Sequence, residues 1–95
     1  MIYNNVILRA KDASDIGELK ELLTTQAEVS LTEPGCERFE VYHSEAEPAV
    51  FLLIEWWATQ EDLDTHRAAS HFVSVYRPSV MPLVERFPHP SQRLI

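Results

Sequence analysis

Apolar positions along this chain recur with two different spacings, and the switches between them mark its elements. Tyr3 to Ala10 has the length and β-branched content of a first strand, interrupted by the polar pair Asn4-Asn5. Ile16, Leu19, Leu23, Ala27 and Leu31 then follow at intervals of three and four, which lays one apolar stripe along a helix. Asp12 or Ser14 can cap that helix by accepting backbone N–H bonds, and Pro34-Gly35 stops it in a turn. Cys36 to His43 returns to strand alternation, with Phe39, Val41 and His43 on one side. After the polar turn Glu45 to Pro48, Val50 to Trp57 is its expected hairpin partner.

Thr59 with Asp62 forms a variant capping box that opens a helix through about His66. Ser70 is a second candidate cap, before Phe72, Val73 and Tyr76, and Pro78 and Pro82 bend or end that helix. Beyond Pro88 and Pro90, Gln92 to Ile95 is expected to be a short final strand. The order β-α-β-β-α-β predicts a ferredoxin-like α+β fold, an antiparallel sheet with its helices on one face, as a single domain over residues 1–95. In the third strand Val50, Leu52, Ile54 and Trp56 fall on one side and Phe51, Leu53 and Trp57 on the other. Both sides call for burial, and one helical layer covers only one of them. A homodimer joined through the sheets is therefore expected.

Composition narrows the partners. Fifteen Asp and Glu against eight Lys and Arg give a formal charge of -7 without a basic stripe, which would repel a phosphate backbone. Nucleic acid is not an expected partner. Val50 to Ile54 is far short of the ~20 apolar residues that span a bilayer, and Met1 to Asn5 has no signal-peptide character. The single Cys36 rules out an internal disulfide and a multi-thiolate zinc site. A cytoplasmic protein that does not engage membranes is the expectation.

Few side chains can carry chemistry. His66 can take a proton near neutral pH, which suits a general base, and its place at a helix end implies little core burial. Tyr76 can donate a hydrogen bond to a developing oxyanion. Asn5, unusual in a strand, could orient a substrate hydroxyl. Trp57 and Phe72 could wall an aromatic substrate. His66 and His71 lack the helical spacing of paired metal ligands, and only Gly17 and Gly35 are available for a phosphate loop, so neither a metal nor a nucleotide is expected.

The run from Glu33 to Ser44, the Phe51–Leu63 segment and the His66 and Ser70-His71-Phe72 positions together resemble the antibiotic biosynthesis monooxygenase family, across most of the chain. The resemblance implies a dimeric protein that oxygenates a quinol, anthrone or similar electron-rich aromatic with molecular oxygen and no bound cofactor. It implies a cleft lined by the positions of Asn5, Trp57, His66 and Tyr76. The haem-degrading relatives carry a first-strand asparagine, matched by Asn5. They have an aromatic residue where this chain has His66, and a haem-ligating histidine where it has Tyr76, so haem is not implied. Two alternatives stand beside the oxygenase. One is an isomerase or proton-transfer enzyme like the relatives that process autoinducer-2; the other is a dimer that binds a small ligand without turnover.

Overall fold

The computed structural model describes residues 1–95 and contains one four-stranded antiparallel sheet, in the order β2-β3-β1-β4. Its strands are β1 (Ile2–Ala10), β2 (Cys36–His43), β3 (Val50–Trp57) and β4 (Val84–Ser91). Helix α1 (Ile16–Ser30), helix α2 (Gln60–Ala68) and a π-helix (Phe72–Val80) complete the ferredoxin-like order. Helix α2 starts with its expected cap, whereas α1 has no side-chain cap and the expected Asp12 bond falls one turn earlier. Asp12 accepts from the Ser14 backbone N–H at 2.9 Å and initiates the turn that leads into α1. Thr59 Oγ1 accepts from the Asp62 N–H at 3.1 Å and donates to Asp62 Oδ2 at 3.0 Å, closing the first turn of α2.

The inward face of α1 is more polar than its apolar stripe implied. Leu19 and Leu23 are buried as expected, but Leu31 lies beyond the helix and is exposed. The buried stripe continues instead through Gln26 and Ser30. Placing a glutamine there has consequences for the site.

The second helical region is broken at Ala69, whose backbone is extended, so α2 and the π-helix enter the core at different angles. No side chain caps the start of the π-helix, so Ser70 does not serve as the expected cap. Pro78 lies inside this helix, where an α-helical ring would collide with the carbonyl four residues back. The wider turn accommodates it, and the Met81 N–H reaches back to the Tyr76 carbonyl.

The last strand differs from its expected position. It runs over Val84–Ser91, and Gln92–Ile95 forms no strand. Pro88 and Pro90 lie within β4, which is possible because it is an edge strand. Two residues apart, both lack an N–H on the side that faces solvent, so no ladder bond is lost.

Alternation assigns the two faces. Val6, Leu8, Phe39, Phe51, Leu53 and Trp57 are buried beneath the helices. The opposite face is bare. Ile7 pairs with Leu52 on one side and Phe87 on the other, and Leu52 pairs with Tyr42, so one apolar row crosses all four strands. Each of these four side chains is at least 36% exposed.

Candidate active site between the sheet and the broken helix

One acid breaks the apolar inward face of β3. Glu55 lies between Leu53 and Trp57 and is 4% exposed. Its cross-strand neighbours are Phe39 on β2 and Asn4 on β1. Trp57 Nε1 donates to Glu55 Oε1 at 3.1 Å. Burial pushes the Glu55 carboxyl above the usual carboxylate range. The Trp57 hydrogen bond, the charges of His66 and Arg86, and a hydrogen bond from Asn4 pull it down only in part. Glu55 therefore holds its proton more tightly than an exposed glutamate does.

His66 comes down on this floor from α2. It is 4% exposed, with ring centroids 4.5 Å from Trp57 and 5.3 Å from Phe72. Little burial was expected of a helix-end histidine, but α2 continues past it to Ala68 and turns it inward beside Leu63. Its Nδ1 lies 2.5 Å from Glu33 Oε1. A carboxylate only accepts, so Nδ1 carries the proton and Nε2 is left as the nitrogen free to act.

The turn that carries Glu33 is held against α2. The Ala58 N–H donates to the Gly35 carbonyl at 2.8 Å, and Gly35 has a φ of 76°. It lies so close to Asp62 that a Cβ there would meet the Asp62 Cβ at 2.6 Å. Only glycine meets both demands at low cost.

The π-helix supplies the other wall. Phe72 and Tyr76 stack on one another with centroids 4.8 Å apart. The Tyr76 hydroxyl accepts from Arg86 Nε at 3.2 Å. Desolvation pushes the Tyr76 phenol up, with Glu55 adding to the shift and Arg86 opposing it, so the group remains a neutral donor.

These residues surround a cavity of about 10 Å³, floored by Asn4, Leu53 and Glu55 and roofed by Gln26, His66, Phe72 and Tyr76. That is about the room one water needs. Three of the expected site residues, His66, Tyr76 and Phe72, meet here. Trp57 stands one layer behind, against His66 and Glu55. Asn5 is on the other face of the sheet, where its amide donates to Ser91 Oγ at 3.0 Å. Strand alternation is the reason: Val6 and Leu8 face the core, so Asn4 does too and Asn5 cannot.

Sequence reasoning missed Asn4, Gln26, Glu33 and Glu55, and it did not place Arg86 beside Tyr76. Two of them carried a readable signal. Glu55 is the only acid on the inward side of Val50–Trp57, and Gln26 continues the Leu19–Leu23 helical face. Glu33 and Arg86 are brought to the site by tertiary structure alone.

The profile of the antibiotic biosynthesis monooxygenase family matches residues 1–77, and the chain belongs to that family. Among solved structures it resembles a conserved protein of unknown function from Bacteroides thetaiotaomicron, described as a possible oxidoreductase. That pair is 26% identical, with a TM-score of 0.87 over 95% of this chain and 94% of the other. Proteins from Nitrosomonas europaea and Deinococcus radiodurans that provisionally carry the family's name are also similar. The first is 24% identical, with a TM-score of 0.86 over 98% of this chain and 90% of its own. The second is 22% identical, with a TM-score of 0.83 over 100% and 96%. No curated protein matches the sequence.

Proposed function

We propose that this protein is a monooxygenase of electron-rich aromatics, such as quinols or anthrones, that needs no bound cofactor. The observation that supports it most is the Glu33–His66 pair at the edge of a desolvated cavity, an oriented base of the kind this chemistry requires. Ground-state oxygen is a triplet and reacts poorly with closed-shell molecules. In the proposed reaction His66 Nε2 takes a proton from the substrate, and the resulting anion gives one electron to oxygen. The radical and superoxide then join through a new C–O bond, and the peroxide takes up a proton. Removal of the carbon-bound hydrogen breaks the O–O bond, leaving a carbonyl and water. Neutral Glu55 and the Tyr76 hydroxyl are the donors that would meet developing negative charge on oxygen.

The cavity admits an aromatic ring only if Phe72 and the π-helix swing outward, and the break at Ala69 is where that movement would begin. The exposed row of Tyr42, Leu52, Ile7 and Phe87 supports a homodimer through the sheets. One observation also favours a proton-transfer enzyme. A buried acid and an oriented base facing one cavity are equally the tools of an isomerase.

The test is oxygen uptake by chelator-treated protein against a panel of quinols and anthrones. The oxygenase reading expects one oxygen consumed per carbonyl formed. Product formed under nitrogen without oxygen uptake would overturn it in favour of proton transfer.

A further inference from the structure

The cavity holds two polar groups without partners. Asn4 and Gln26 are each 2% exposed, and Asn4 Oδ1 and Gln26 Oε1 have no hydrogen-bond partner in the protein. Both residues line the same space, one from the sheet and the other from α1. Asn4 donates towards Glu55, which leaves its oxygen, not its nitrogen, for the cavity. Buried carbonyl oxygens left unpaired are destabilising, and native proteins satisfy them with protein groups or water. A cavity of about 10 Å³ takes one such molecule.

From this geometry we infer that Asn4 and Gln26 form a hydroxyl-reading site. Its occupant is a hydrogen-bond donor: one ordered water in the resting protein, exchanged for the hydroxyl of a hydroxyaromatic ligand when the cavity opens. Two acceptors converging on one small space select for a donor. The hydroxyl's one hydrogen satisfies one amide oxygen, whereas a methyl ether of the same ring offers none and leaves both buried and unpaired. The choice of a hydroxyaromatic as that ligand rests on the oxygenase reading. Gln26 is thereby a specificity residue that the apolar stripe of α1 had concealed.

Two measurements test the site. A high-resolution structure of the free protein should contain a water within hydrogen-bonding distance of both amides. An empty cavity, or amides turned to protein partners, contradicts the inference. Binding of 1-naphthol and of 1-methoxynaphthalene should then be titrated under nitrogen by tryptophan fluorescence. The wild-type protein should favour the naphthol by about tenfold or more. The double variant Asn4→Leu/Gln26→Leu should bring the two affinities together, because in either single variant the remaining amide oxygen still takes the hydroxyl's one hydrogen. If the double variant does not fold, the ordered water and the wild-type preference decide the inference by themselves. Equal wild-type affinities, binding of neither compound, or a full preference retained in the folded double variant would each overturn the site. No turnover is involved, so a protein that consumes no oxygen can still pass this test, and an active oxygenase can still fail it.

Discussion

Replacing Gly35 with alanine tests how the turn before β2 holds the base in place. With φ at 76°, Gly35 occupies the left-handed region, where an L-residue's Cβ crowds the backbone at a cost of roughly 1–2 kcal/mol. The new methyl would also lie 2.6 Å from the Asp62 Cβ, and nearer still to Cγ and Oδ2. Rotating Asp62 about χ1 moves its carboxylate but leaves its Cβ in the way, so the turn and the start of α2 must separate. That disturbs the Thr59–Asp62 cap, typically ~1 kcal/mol. Together these come to about 2–3 kcal/mol, or a fall in Tm of ~10–20 °C for a domain of this size. Thermal melts followed by circular dichroism measure it, with Asp62→Gly and the double variant beside Gly35→Ala. The double variant should lose less than the two single losses added, because deleting the Asp62 side chain removes the collision. Strict additivity, or a Gly35→Ala loss below about 3 °C, would refute the reasoning. Glu33 lies two residues before the altered position, so the ¹⁵N shifts of the His66 ring should change as well.

Other substitutions separate the roles around the cavity. Glu33→Ala should lower turnover and shift His66 towards its other tautomer, visible by ¹⁵N NMR, while Glu33→Gln retains an acceptor and should partly restore both. Glu55→Gln should stabilise the protein at alkaline pH. The raised Glu55 group keeps its proton in the folded state where the unfolded chain has released it, so native stability falls as pH rises from the ordinary 4.5 through the folded value. Melts of Glu55→Gln and wild type should converge below that ordinary value, and a variant less stable than wild type at alkaline pH would contradict the burial argument. Leu52→Lys, in the middle of the exposed row, should leave the fold intact and give a monomer by light scattering, against a wild-type dimer.

Much of the scaffold was legible because its signals are local. The Thr59–Asp62 cap, the Cys36–His43 and Val50–Trp57 hairpin, and the two apolar sides of β3 each follow from residues close together in sequence. The final strand was not, since Pro88 and Pro90 are tolerated only on an edge, and edge position depends on topology. The site followed the same division. His66, Phe72 and Tyr76 lie close together in sequence, on either side of the break at Ala69, and they converge. Asn5 was misplaced by a single step of strand register, which carries a side chain to the opposite face. Glu33 and Arg86 come from segments distant in sequence, so no periodicity could have joined them to His66 and Tyr76.

The most direct test of the central claim compares oxygen uptake by the wild-type protein and by His66→Phe, with a quinol or anthrone that the wild type converts. Phenylalanine preserves the packing against Trp57 and Phe72 and removes the base with its hydrogen bond to Glu33, whereas alanine would open a hole beneath α2. With His66 as the base, His66→Phe should melt cooperatively and consume oxygen ~100-fold more slowly or less. A folded His66→Phe that consumes oxygen at the wild-type rate would contradict the account.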